Sequence, residues 1–465
     1  MADASPSPPP KTMRAWQYSS TSGGLEKNLK INPSAALPKL KPNQHLVRIS
    51  AMALNPVDYK PAQIPGVARL AVGLPATPGI DFCGRLITPA KDSPLKAGQM
   101  VFGCAGNNPV AGGALGEYAV AGLQAVAALP EGMEVVDAAT VGVAGTTAYQ
   151  SIVPRVKAGD RVFVNGGSGG VGVFSVQFAK TMGCYVVATC GTGNVEFVKG
   201  LGVDRVVDYR TENVVEVLKG LREKEGGFDH AVDNVGTNEE LVLGCHEFMK
   251  KEASYVIVGG EPTLQGLKDI LKRKLLPGFL GGVKGKVEGF FPAHKTEDFE
   301  KMAEWMTQGK VKAVIDSRFK YEEAVKAFEK LKTGRARGKI VVDEPNSRLL
   351  LLKQGVIMAK GDPLGCGGCD SGSEHLNKDK CREMNENMIL EERAKFKEAQ
   401  QSYGRQYDEP LTRLVNAVRA NDEEAKAAAK KDFGELSDEM RKFVYDHNAQ
   451  ERLRVYILCS SRESF

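Results

Sequence analysis

Long apolar runs are missing from this chain. The longest near its C-terminus covers residues 349–352, far short of the about 20 residues a bilayer-crossing helix needs, so no integral membrane segment is expected. Dense basic stretches interleaved with aromatics are also missing. A net charge of +5 spread over 465 residues gives no electrostatic footprint for nucleic acid, which is excluded as an expected partner. The opening MADASPSPPPK is proline-rich, carries an acid at Asp3 and contains no arginine. It resembles neither a secretory signal nor a transit peptide, and residues 1–12 read as a disordered tail. A paired cysteine framework is absent as well. The nine cysteines are scattered, most of them singly within apolar runs, as at Cys83, Cys184 and Cys245, which suits reduced, buried thiols and a cytoplasmic location. There is no internal repeat. With 42% hydrophobic and 26% charged residues, the chain has the composition of a globular protein, and its length implies two or three domains.

Against these absences stands one dense glycine motif. The apolar strand 161–165 runs directly into Gly167-Ser168-Gly169-Gly170-Val171-Gly172. Val173, Phe174, Phe178 and Met182 then recur at helical spacing, and Gly183 is placed as a helix stop. Residues 185–189 read as a second strand. The glycines therefore sit inside a βαβ unit, where they permit a tight turn and a close approach of backbone to a pyrophosphate at a helix N-terminus. This is a dinucleotide site.

The end of the second strand indicates which dinucleotide. An NAD-type site places a carboxylate about twenty residues after the glycines to hold the ribose 2′-OH, and this chain has Thr189-Cys190-Gly191-Thr192-Gly193-Asn194 there. No acid stands in that loop to repel a 2′-phosphate. Thr192, Asn194 and the later Tyr209-Arg210 pair are candidate donors to it, and NADPH is the expected cofactor.

Ahead of the motif, short β-type runs at 13–18, 45–53, 83–87, 100–103 and 116–121 are separated by glycine and proline, the texture of a compact β-rich domain. From about residue 133 the texture alternates. Strands at 161–165, 185–189, 205–209, 230–235 and 254–259, with helices between them, describe an open doubly wound parallel sheet. A helix at 298–308, a strand at 313–319, a helix at 321–332 and a strand at 338–343 follow. Residues 343–347 read as a linker. Beyond them the composition shifts to charged helix formers, and 348–465 reads as an α-helical extension of unknown role.

Several of these pieces together resemble one family. ALNPVDYK at 53–60, PGIDFCG at 78–84, GALGEYAV at 113–120, GVAGTTAYQ at 142–150, GDRVFVNGGSGGVG at 159–172, VVDYR at 206–210, VDNVG at 232–236 and RGKIVV at 337–342 are similar to motifs of the medium-chain dehydrogenase/reductases, in the family's order. Within that superfamily they look like the zinc-independent quinone oxidoreductases. KVKAVIDSRF at 310–319 resembles the subgroup of the chloroplast-envelope quinone oxidoreductase homologue and the reticulon-4-interacting protein. The resemblance covers residues 13 to about 345. It implies an α/β protein with a discontinuous GroES-like β-rich catalytic domain (13–130 and 291–345) and an inserted Rossmann domain (131–290), with nicotinamide and substrate in the cleft between them. A homodimer is implied too.

Zinc-dependent members carry an early cysteine and a later Gly-His-Glu as ligands. Here the matching places hold Asn55-Pro56-Val57-Asp58 and Gly79-Ile80-Asp81, and the four-cysteine structural lobe is missing from 106–116. No metal is therefore expected in the core. What remains is hydride transfer from NADPH to a quinone or to the C=C of an α,β-unsaturated carbonyl, with donors that hold the developing enolate oxygen. Asn55, which resembles the family's nicotinamide-side asparagine, and its neighbours Tyr59 and Lys60 are the candidates, against the alternatives of a turn at Asn55-Pro56 and simple packing by Tyr59. Thr146 and Asn234 carry over as cofactor-side residues. Gly259 ends a parallel strand, where open sheets bind ligands.

In the extension, Cys366, Cys369, His375 and Cys381 give C-x2-C-x5-H-x5-C. This is either a small zinc knuckle or a glycine-rich loop with free thiols. The helices around it are either a partner-binding appendage or the product of joining two coding regions. For the core, two alternatives stand beside the quinone or enone reductase: a trans-acting enoyl reductase of a biosynthetic pathway, and a non-catalytic NADPH-binding scaffold.

Overall fold

A computed structural model describes residues 9–63, 73–106, 108–258 and 285–343. Gly259, the Cys366/Cys369/His375/Cys381 cluster and the extension 348–465 lie outside the described residues. No helix among the described residues is long and apolar enough to cross a membrane.

The chain opens with an antiparallel pair, β1 (Thr12–Gln17) and β2 (Lys30–Ala36). It continues through β3 (Gln44–Leu54), β4 (Asp81–Thr88), β5 (Met100–Cys104), β6 (Tyr118–Gly122) and β7 (Val126–Ala128). A parallel series follows: β8 (Arg161–Asn165), β9 (Tyr185–Cys190), β10 (Arg205–Asp208), β11 (Phe228–Asp233), β12 (Met249–Ile257) and β13 (Lys286–Gly289). The chain then returns to its first sheet with β14 (Ile315–Phe319) and β15 (Lys339–Asp343). The protein is thus α/β, with a GroES-like β-rich sheet and a Rossmann sheet.

The first sheet has seven strands in the order β14-β15-β3-β4-β5-β7, with β6 paired to β3. β3 is long enough to serve three neighbours. Its first half pairs with β6 from Gln44 to Arg48, and its last residues pair with β15, Leu54 lying opposite Ile340. A register shift between Ile49 and Ala51 bends it against β4, as a bulge does.

The second sheet has six parallel strands in the order β10-β9-β8-β11-β12-β13. The strand order reverses between β8 and β11, and the crevice at that switch point is where such sheets bind ligands. Both faces are covered, as a parallel sheet requires. Phe163 points to one face with Phe228 and Phe248, its ring centroids 6.1 and 5.9 Å from theirs. Val162 and Val164 point to the other face, against Val176 and Ala179 of the helix Gly172–Thr181. Burying each such side chain stabilises the fold by about 1.5–3 kcal/mol.

Three strands differ from the sequence reading. β2 contains Pro33 and Asn32, β7 has three residues, and β13 reads Lys-Val-Glu-Gly. β2 and β13 are polar and lie at sheet edges, where apolar alternation is not demanded, and β7 is too short to show a period.

Candidate functional site

The register of the first sheet assembles a buried polar cluster at one end. β3 lies between β15 and β4, so Asn55, which follows β3, meets Asp81 at the start of β4 and Lys339 at the start of β15. Asn55, Asp58, Asp81 and Lys339 are all buried. The Lys339 ammonium donates to Asn55 Oδ1, to Leu54 O at 3.2 Å and to Asp81 Oδ2 at 3.0 Å. Asp81 Oδ1 in turn accepts the Val143 N–H at 2.7 Å, at the start of the helix Gly142–Ile152. A carboxylate is favourable at that position because the helix N-terminus carries partial positive charge. Asp58 Oδ2 accepts the Asn55 N–H at 2.6 Å. Burial, followed by the nearby Asp81 carboxylate, pushes the Asp58 acid well above the usual carboxylate range.

This arrangement fixes Asn55. An ammonium only donates, so the Asn55 oxygen must face Lys339 and its NH2 must face away. One Nδ2 hydrogen reaches Ala53 O at a long 3.4 Å, and the other has no acceptor among the described residues.

The glycine loop forms a second element. Gly167 N donates to Thr189 O at 2.8 Å, which closes the turn between β8 and β9. The N–H groups of Gly170 and Val171 donate to no acceptor among the described residues, and they lie at the mouth of the helix that starts at Gly172. A Cβ on Gly169 would meet nothing nearer than the Gly166 carbonyl oxygen at 3.7 Å. The protein leaves that space open, as a cradle for a pyrophosphate requires. Beneath the loop, Asn165 donates to Asp233 at 2.7 Å, Thr189 donates to Asn165 at 2.6 Å, and Tyr255 donates to Asp233 at 2.9 Å. This buried network ties together the ends of β8, β9, β11 and β12.

At the ribose end, the turn Thr192–Asn194 follows β9. Asn194 Nδ2 donates to Ser168 Oγ at 3.2 Å, linking this turn to the glycine loop. Near that turn the Asp208 carboxylate, at the end of β10, accepts the Arg210 N–H at 3.0 Å, and the Thr192 side chain helps to hold its pKa down. These contacts hold Asp208 below the usual carboxylate range. The loop has no acid of its own, yet a neighbouring strand supplies one. Tyr209 is 53% exposed, and its hydroxyl lies beside Gly191 with Arg210 next to it. Arg337, from the turn before β15, donates from Nε to Asn194 Oδ1 at 2.6 Å and from Nη2 to Gly193 O at 2.7 Å.

Residues 41–131 match the model of the alcohol dehydrogenase GroES-like domain, and residues 201–342 match that of the zinc-binding dehydrogenases. The trans-enoyl reductase pgmF of Aspergillus terreus is 44% identical over 349 residues, covering 72% of this chain and 96% of that protein. This chain belongs to the medium-chain dehydrogenase/reductases. The chloroplast envelope quinone oxidoreductase homolog of Arabidopsis thaliana is 30% identical over 350 residues, covering 72% of this chain and 99% of its own length. Among solved structures, the quinone oxidoreductase from Coxiella burnetii is similar with a TM-score of 0.61 and 29% identity, over 72% of this chain and 99% of that one.

As a medium-chain dehydrogenase/reductase the protein is an NAD(P)-dependent reductase of the enoyl or quinone type, and its unpartnered polar atoms suit that cofactor. Thr146 is fully buried on the helix Gly142–Ile152 with no partner for its hydroxyl. Asn234, just past β11 at the switch point, has neither Nδ2 nor Oδ1 satisfied. Buried polar groups left this way carry a desolvation penalty that a ligand removes. A zinc does not fit. The described residues hold no group of three or more His, Cys, Asp or Glu side chains able to bind a metal, and the Lys339 ammonium lies between Asn55 and Asp81, so a second cation would meet like charge.

Tyr59 and Lys60 follow the turn Pro56–Asp58. Tyr59 is 8% exposed within the core of the first sheet, and Lys60 beside it is half-buried. Lys339, His294 and Arg337 were missed in the sequence. His294 lies near Asp81 with its Nδ1 buried and unpartnered, and burial lowers its pKa against the pull of that carboxylate. Lys339 left a signal: a lysine heads the otherwise apolar run Ile340-Val341-Val342.

Proposed function

We propose that the protein is an NADPH-dependent enoyl reductase acting in trans on α,β-unsaturated acyl thioesters carried by a separate biosynthetic enzyme. The observation that carries this reading is the 44% identity to a trans-enoyl reductase over 96% of that protein's length, against 30% for the quinone oxidoreductase homolog. NADPH is favoured over NADH because the Thr192–Asn194 turn carries no carboxylate, Asp208 is engaged by Thr192 and Arg210, and Tyr209 and Arg210 stand exposed beside Gly191.

When bound, the cofactor supplies a hydride to the β-carbon of the conjugated double bond. The chain's own residues do the rest. Gly170 and Val171 offer N–H groups to the pyrophosphate, and Thr146 and Asn234 offer polar atoms to the nicotinamide end. Asn55, held by Lys339, donates its free N–H to the substrate carbonyl oxygen, where negative charge develops. A preorganised donor of this kind is commonly worth about 10²–10³ in rate. Tyr59 is the candidate for a second donor or the source of the α-carbon proton. Tyr59→Phe is expected to lower kcat roughly 10²-fold with little change in NADPH affinity. An unchanged kcat would make the ring a packing element.

The function is tested by following NADPH oxidation with enoyl N-acetylcysteamine thioesters, simple enones and a quinone panel. Turnover greatest on the thioesters is expected. Turnover confined to quinones, or NADPH binding without turnover of any acceptor, would overturn the reading.

A further inference from the structure

The loop that receives the adenine ribose has no lysine or arginine of its own, the first being Lys199. A cation reaches it from elsewhere in the chain. Arg337 stands 143 residues from Asn194 in sequence, on the turn that leads from the helix Ala324–Lys332 into β15 of the first sheet. That turn is built to face the second sheet. Its Arg337 N–H is held by Asp316 Oδ1 at 2.8 Å. Gly338 adopts φ +86°, where a side chain would also clash with the Val314 carbonyl, and it donates to Ser168 O of the glycine loop at 3.0 Å. The Arg337 guanidinium therefore arrives with two contacts on Gly193 and Asn194, while Asn194 itself bridges to Ser168.

We propose that Arg337 supplies the charge of the 2′-phosphate subsite, so that discrimination of NADPH from NADH resides in a residue of the catalytic domain and not of the Rossmann domain. The proposal rests on NADPH being the cofactor. Arginine suits the task because its planar fork has five N–H donors. Two of its nitrogens are used on Gly193 and Asn194, and donors remain for a phosphate oxygen. The guanidinium is exposed, so it can turn toward a phosphate at small cost. The other charged groups here are Arg335 on the same turn, Asp316, which holds the Arg337 N–H and pairs with Lys330, and, on the Rossmann side, Arg210 beside Tyr209 and Asp208, which is already engaged. Because Arg337 and Gly338 touch the Rossmann loops from the other domain, the phosphate also favours the arrangement in which the two domains meet.

Binding of NADPH, NADH and 2′,5′-ADP to the full chain is measured by titration calorimetry for wild type, Arg337→Gln, Arg337→Lys and Arg210→Gln. Arg337→Gln is expected to weaken NADPH and 2′,5′-ADP by roughly 10- to 100-fold, the loss of charge-assisted hydrogen bonds, and to leave NADH within about twofold. Arg337→Lys is expected to recover part of that loss. Equal weakening of NADPH and NADH would reduce Arg337 to a loop support, and an unchanged NADPH affinity with a loss in Arg210→Gln would assign the charge to Arg210. Either result overturns the proposal alone. A wild type that binds NADH as tightly as NADPH overturns the cofactor reading and the proposal together.

Discussion

Lys339→Met is expected to destabilise the protein by about 3–5 kcal/mol, the typical result of removing one partner of a buried ion pair. Asp81 has no exposure and Lys339 only 2%, so water cannot replace the lost ammonium. The remaining carboxylate would keep only the Val143 N–H and a long contact from the Cys104 thiol, and Asn55 Oδ1 would lose the Lys339 donor. Urea unfolding followed by far-UV circular dichroism reads the change. Two companion variants identify its cause. Asp58→Asn is expected to be nearly neutral, because burial and Asp81 both disfavour the charged form of that acid and an amide oxygen can still accept the Asn55 N–H. Lys339→Met combined with Asp81→Asn is expected to recover much of the loss, since the uncompensated charge is gone and an oxygen remains for Val143. A single variant as stable as wild type would show that the ion pair does not hold the cluster together. The same substitution frees the Asn55 amide to turn, so kcat should fall further than a stability loss explains when measured well below the unfolding midpoint.

The glycine loop was legible from the sequence because its information is local. Strand, turn and helix lie within residues 161–182, and each asks for the residues found there: alternating apolar side chains, glycines and an amphipathic run. The strands on either side were legible for the same reason. Asn55 was legible through a motif. Its partner was not, because Lys339 is 284 residues away and only the order of strands in the first sheet joins them. Asp81 was read as a missing zinc ligand, and the structure shows what it does instead: it pairs with a lysine and accepts from a helix N-terminus. Asp208 shows the limit of reading one loop at a time: the turn after β9 carries no acid, and only the pairing of β10 with β9 brings that carboxylate beside it. Arg337 is the converse case, a residue without local meaning that acquires one where two sheets meet.

Gly172→Ala is expected to abolish NADPH binding and to destabilise the second sheet, whereas Gly169→Ala is expected to weaken binding alone. The two glycines differ in what surrounds them. At position 172 a Cβ would overlap the Gly166 carbonyl oxygen and lie 2.9 Å from Gly167 C and Cα, all of them backbone atoms of the same turn. None of these can swing aside as a side-chain tip can, so the helix must shift away from β8, and overpacking of this kind costs about 1–3 kcal/mol. The shift also carries the Gly170 and Val171 N–H groups away from the pyrophosphate. At position 169 a Cβ has room, with its nearest neighbour at 3.7 Å, and the backbone is not in the left-handed region. The protein by itself has no need of glycine there; the ligand does, because a methyl would fill the path by which a pyrophosphate approaches the backbone. Calorimetric titration with NADPH and urea unfolding of both variants distinguish the two cases. Gly169→Ala should unfold as wild type does yet bind NADPH at least roughly tenfold more weakly, a loss of about 1.4 kcal/mol. If Gly169→Ala binds NADPH unchanged, the pyrophosphate does not pass over this glycine, and the space beside it belongs to something else.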